Sequence, residues 1–185
     1  MFNLRRGAGL LAVALAINVT MTAGPAVAAS RAEINRDVDA ALAILYAKDP
    51  DARRLTSQAK AVLVFPSIVK AGFLFGAQYG DGALREKGKT VGYYNTVAAS
   101  YGLQAGVQVF GYALFFMTDS AVQYLASSGG FELGVGPSIV VLDAGAARAF
   151  TTTTAQKDMY AIFFNQKGLM AGLGLQGSKI SRIDK

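Results

Sequence analysis

Along residues 30–48 the apolar positions Ile34, Val38, Ala41, Leu42 and Leu45 recur at steps of three and four, which lines one face of a helix. Ser30 precedes the run with Glu33 three residues on, the pair that forms a capping box. Asp49-Pro50 reads as an N-cap followed by proline at the first helical position, opening a short second helix to about Lys60 that turns Leu55 and Ala59 inward. From Ala61 the pattern changes to β-forming runs: 61–65, stopped by Pro66, then 73–79, 91–95, 100–110, 111–117, 131–142, and 159–164 followed by 169–175. Turn residues separate them at 87–89, 143–145 and 165–168. One helix interrupts the series over 120–127, with Asp119 as its expected cap and Gly129 as its end.

Glycines punctuate the strands four residues apart, as in Gly72, Gly76 and Gly80, Gly102 and Gly106, Gly130 and Gly134, and Gly168 and Gly172. Residues four apart on a strand share a face, so each strand carries a bare stripe that another backbone, a helix or a ligand can approach. Similar segments around Gly72, Gly102 and Gly168 are unequally spaced, which excludes a solenoid repeat. The expected fold is α+β: N-terminal helices packed on a curved, mainly antiparallel, glycine-striped sheet or small barrel.

Ahead of this domain lies a different pattern. Arg5 and Arg6 precede the unbroken apolar run 8–17, and the small residues Ala26-Val27-Ala28-Ala29 follow. That is the layout of a secretory signal peptide, with cleavage expected after Ala28 or Ala29. Ten apolar residues fall well short of the roughly 20 needed to span a bilayer. Residues 1–28 are therefore read as a signal peptide, 29–185 as a single exported domain, and the expected location is the bacterial periplasm or another exported site, with a peripheral membrane position left open.

Composition narrows the chemistry. The chain has no cysteine and no histidine, so disulfides, lipoprotein anchoring through cysteine, histidine- or thiolate-ligated metal sites and Ser-His-Asp or Cys-His catalysis are all excluded. A hydrophobic fraction of 52% supplies a core instead. The net charge of +6 falls to +4 without Arg5 and Arg6, a mild preference for anionic surfaces. No aromatic-interleaved basic stretch or other nucleic-acid motif accompanies it. The acids of the sheet region (Asp81, Glu86, Asp119, Glu132, Asp143 and Asp158) are scattered, mostly at turns and caps. Gly172-Leu-Gly-Leu-Gln-Gly177 spells a dinucleotide fingerprint, but no βαβ unit or downstream acid follows it. No catalytic residue, cofactor or metal is expected.

The basic residues are the better candidates. Arg85, Lys87 and Lys89 cluster with Glu86 at one hairpin tip, and Lys70 lies near Gly72. Contact with lipid phosphates is one reading of these four, and a solvated turn is the other. Each cation near an anionic surface contributes about 1 kcal/mol, so an apolar component is also required. The aromatics, among them Phe65, Phe75, Phe110 and Phe163, could wall a glycine-lined cleft for an acyl chain.

Three stretches, Ala59-Lys-Ala-Val-Leu-Val-Phe-Pro-Ser-Ile-Val-Lys-Ala-Gly-Phe73, Gly92-Tyr-Tyr-Asn-Thr-Val-Ala-Ala-Ser-Tyr-Gly-Leu-Gln-Ala-Gly-Val-Gln108 and Gly168-Leu-Met-Ala-Gly-Leu-Gly-Leu-Gln-Gly177, together with Phe131-Glu-Leu-Gly-Val-Gly-Pro137, resemble the SYLF domain family. The resemblance implies a lipid-binding, non-enzymatic domain. Eukaryotic members pair it with SH3 or FYVE modules, bind phosphoinositide membranes and regulate actin, whereas bacterial members are single exported domains. Actin is not an expected partner for an exported bacterial chain. In the eukaryotic members, membrane binding is linked to a basic amphipathic segment at the domain's N-terminus. Here residues 30–47 carry Arg31 and Arg36 against Glu33, Asp37 and Asp39, a departure that weighs against phosphoinositide specificity. The expected partner is a phospholipid or an anionic membrane surface. The alternative is a structural or protein-interaction domain of the envelope without lipid. A hydrolase acting on an envelope lipid is a third, weaker reading. Oligomeric state is left open.

Overall fold

A computed structural model of the chain describes residues 29–72, 75–101, 106–127, 131–132, 136–142, 157–168 and 177–185. Helix α1 spans Arg31–Lys48 and α2 spans Pro50–Gln58. Both expected caps form. The Ser30 hydroxyl accepts from the Glu33 N–H while the Glu33 carboxylate accepts from the Ser30 N–H at 2.8 Å. Asp49 caps α2 by accepting from the Asp51 N–H. Ile34, Val38, Ala41 and Leu45 are the buried face of α1.

The strands are β1 (Ala61–Gly72), β2 (Phe75–Glu86), β3 (Lys89–Tyr101), β4 (Gly106–Phe116), β5 (Phe131–Glu132), β6 (Ile139–Leu142), β7 (Met159–Gly168) and β8 (Lys179–Ile183), with α3 (Asp119–Ser127) between β4 and β5. They form one sheet in the order β5-β8-β3-β2-β1-β4-β7-β6, antiparallel throughout except for the β6–β7 pair. The sheet curls into a half-barrel with β5 and β6 at its edges. The expected α+β class and curved, mainly antiparallel sheet are what the chain forms.

Helices lie on both faces. Val62, Val64, Ala113 and Phe115 pack under α1 and α2, whereas Leu63, Phe65, Leu114 and Phe116 face the side that holds Ala121 and Leu125 of α3. This explains the unbroken apolar run 61–65 and the pair Phe115-Phe116, both fully buried, since alternate side chains enter two different cores.

Several boundaries differ from the sequence expectation. Pro66 does not stop β1. Register with β2 shifts between Val64 and Val69, and with β4 between Phe65 and Ile68, so a bulge absorbs the residue that cannot donate. Residues 100–110 are not one strand but the end of β3 and the start of β4. Residues 131–142 give two short strands on opposite edges of the sheet, β5 beside β8 and β6 beside β7. The expected turn at 165–168 is strand, with Asn165 at φ 53° beside a register shift. β8 was not expected. The cap of α3 is Thr118, whose hydroxyl accepts from the Ala121 N–H, and Asp119 is helical. The fingerprint glycines 172 and 174, the end at Gly129 and the segment 1–28 lie outside the described residues.

The glycine spacing has a steric cause. A side chain on Gly80 would collide with Ile68, and one on Gly82 with the Val64 carbonyl. The β1–β2 pair could not curl this tightly with larger residues.

Candidate functional site

The β2–β3 hairpin closes through Lys87 and Gly88, both with positive φ (49° and 80°), the geometry that favours a two-residue primed turn. β1 begins beside this hairpin, with Val62 opposite Arg85. α1 and α2 cover that end of the sheet. Between the helices and the hairpin lies an open pocket of about 630 Å³.

Its apolar lining includes Leu42 and Tyr46 of α1, Ala59, and Val62 of β1. Tyr46 is fixed by a 2.8 Å hydrogen bond to the Thr56 hydroxyl, and the Arg53 guanidinium sits 5.1 Å from its ring centroid, a cation–π contact. The polar lining is mainly cationic: Arg53, Lys60, Arg85 and Lys87 against the single carboxylate of Asp39.

Arg85 is the best anchored of the four. Nη2 donates to Asp39 Oδ1 at 2.7 Å and to the Asn35 carbonyl at 3.3 Å. The Arg85 side chain is 13% exposed, and its Nε is buried without a partner. Lys60 pairs with Asp119 at 3.2 Å, with both side chains largely exposed. Such a pair contributes little and is easily exchanged for another anion.

The four candidate cations divide. Arg85 and Lys87 line the pocket. Lys89 stands on the same hairpin, opposite Glu86, but does not line it. Lys70 is elsewhere, near the far end of β1 and on the face it shares with Ile68, away from α1 and α2. It is only 9% exposed and lies between Gln78 of β2 and Gln108 of β4 in one cross-strand row. Gln78 donates to the Ser178 hydroxyl at 2.9 Å. Gln108 Oε1 is buried without a partner, and no ion pair joins Lys70 to a carboxylate among the described residues. The grouping of Lys70 with the hairpin cations does not hold, because β1 carries it some eight residues beyond the pocket and onto the other face.

Arg53, Lys60 and Tyr46 are the pocket residues that sequence reasoning missed. Nothing in the spacing of α2 reveals that its cations meet the hairpin tip, since that depends on how α2 folds back from α1. The candidate acids have structural uses. Asp158 accepts from the Ser138 N–H and hydroxyl and from Thr118, tying β6, β7 and α3 together. The Ser138 bonds hold its carboxyl below the usual range. Glu132 is exposed on an edge strand, as expected. No cluster of acidic side chains suited to a metal occurs among the described residues, and no described helix is long and apolar enough to cross a membrane.

No curated protein matches the chain. Residues 97–185, from the second half of β3 through β8, match the family model Ysc84, described as a Las17-binding protein actin regulator. This span contains the Tyr101–Gln108 and Gly168–Gly177 stretches that carry the sequence resemblance. Over residues 97–185 the chain carries a Ysc84, or SYLF, domain match, the family to which the sequence resemblance points.

Proposed function

We propose that this chain is an exported, non-catalytic phospholipid-binding domain of the bacterial cell envelope. The observation that carries this reading is the helix–hairpin pocket, in which an apolar wall of Leu42, Tyr46 and Val62 meets four cations and one carboxylate. An amphiphile with an anionic head and an acyl tail matches both halves. The cations supply charge-assisted hydrogen bonds to phosphate, and the apolar wall supplies the hydrophobic component that a few surface cations lack. The actin role in the family description concerns a cytoskeletal partner that an exported chain would not meet, so it is not part of this proposal.

Titration with monomeric short-chain phosphatidylglycerol, followed by native mass spectrometry and calorimetry, tests the reading. Stoichiometric binding that weakens with salt, and that short-chain phosphatidylcholine does not match, is the expected result. No binding of either lipid, together with discrete lipid-free oligomers, would favour a protein-interaction domain instead.

A further inference from the structure

On the face that α1 and α2 cover at one end, no described helix covers the other end of the sheet. Register places Lys179, Val97, Tyr79, Val69, Val109 and Lys167 in one row across six adjacent strands. Directly opposed residues share a face, so four apolar or aromatic side chains are flanked by a lysine at each end. At about 4.8 Å per strand the row is about 24 Å long. A second row beside it, Ala99, Ala77, Ala71 and Val107, is exposed throughout. Tyr79 is 52% exposed, Val107 58% and Phe75, at the start of β2, 81%. Scattered exposed apolar residues are ordinary, but a contiguous patch across four strands marks a contact surface.

We infer that this half of the sheet face is a membrane-contact surface for anionic bilayers, separate from the helix–hairpin pocket. The inference rests on the lipid-binding reading only in taking the partner to be lipid. Charge selects the occupant. Lys167 and Lys179 are exposed, and lysines beside apolar surface lay their stems on it and hold the ammonium at headgroup level. Lysine is depleted from protein–protein interfaces. Two acids lie on this face: Glu132 extends the row on β5 directly opposite Lys179, and Asp81, on the adjoining row, accepts from the Tyr79 hydroxyl at 2.6 Å and pairs with Lys185 at 3.1 Å. Lys167, Lys179 and Lys185 against these two carboxylates leave the face net positive around an apolar centre, with the Tyr79 hydroxyl as a polar tip of the kind found at membrane interfaces.

The chain has no tryptophan, so one introduced indole reports a single position. Phe75→Trp, mixed with vesicles of phosphatidylglycerol and phosphatidylcholine, should shift its emission to the blue and be quenched by brominated lipid. Val141→Trp, exposed on the opposite face, should not. Lys167→Gln with Lys179→Gln should weaken partitioning by roughly twenty-fivefold, taking about fivefold per cation near an anionic surface, with the melting temperature little changed. An unshifted Phe75→Trp on vesicles that the protein binds overturns the inference, as does a shift that appears on self-association without lipid. Short-chain lipid separates the two readings. Pocket binding with an unmoved Phe75→Trp sinks the contact surface alone, and vesicle-induced shifts without short-chain binding sink the pocket alone. The absence of both sinks both.

Discussion

Arg85 and Asp39 meet at 2.7 Å and join the β2–β3 hairpin to α1 across the mouth of the pocket. The pair does two things with opposite signs for an anionic ligand. It holds the guanidinium in place, and it puts the pocket's only carboxylate beside it. Asp39 is 66% exposed, so Asp39→Asn should cost less than about 1 kcal/mol of stability. The same change should tighten short-chain phosphatidylglycerol about fivefold, since one opposing charge is gone. Calorimetric titration checks this, and weaker binding would show that Asp39 positions Arg85 more than it competes with the ligand.

Lys70 gives a stability prediction. Lys70 is only 9% exposed, on a face lined by Ile68 and Phe110, with no carboxylate partner among the described residues. Burying an unpaired charge is costly, and methionine keeps most of the side-chain volume. Lys70→Met should stabilise the fold by about 1 kcal/mol, read as a higher urea midpoint at unchanged slope. It should leave short-chain lipid binding unaffected, because Lys70 is not in the pocket.

Gly111 and Phe164 are neighbours across β4 and β7, and a side chain at 111 would run into the Phe164 ring. Gly111→Ala should destabilise by about 1–3 kcal/mol through overpacking. Adding Phe164→Leu should recover part of the loss, giving a coupling that a double-mutant cycle measures. Additive effects would mean that the ring moves aside freely.

Alkaline pH should unfold the domain through its tyrosines. Hydrogen bonding to Asp81, with burial, pushes the Tyr79 hydroxyl up to about 12, and burial pushes Tyr112, which donates to Thr96, up as well. Both folded values exceed the unfolded value near 10. The stability linked to these protonated phenols is therefore complete below about pH 10 and is lost as pH rises toward the folded values. Melting temperature should fall above pH 10, and Tyr79→Phe should flatten part of that slope. A profile flat to pH 11.5 would contradict the assignment.

The sequence was most readable where local chemistry decides structure. Ser30 with Glu33, and Asp49 with Pro50, mark helix starts because a cap needs only a few neighbouring residues. The glycine spacing correctly signalled close approach and curvature. Reading failed where partners are distant in sequence. Pro66 looked like a stop because nothing local reveals that both neighbouring strands shift register around it. Residues 131–142 looked like one strand because their division between two sheet edges is set by β7 and β8. For the same reason Lys70 was grouped with Arg85 and Lys87, and Arg53 and Lys60 were overlooked. Charge along the chain does not say which cations share a pocket.

The most direct test of lipid binding at the pocket is calorimetric titration of short-chain phosphatidylglycerol into the wild-type protein and into Arg53→Glu/Lys87→Glu. Both side chains are exposed and neither belongs to a core cluster, so the variant should stay folded, losing only the Arg53 contact with the Tyr46 ring, about 0.5–1 kcal/mol. The account predicts that its affinity falls at least about thirtyfold, because two cations become two anions. Wild-type affinity in a folded variant would contradict it.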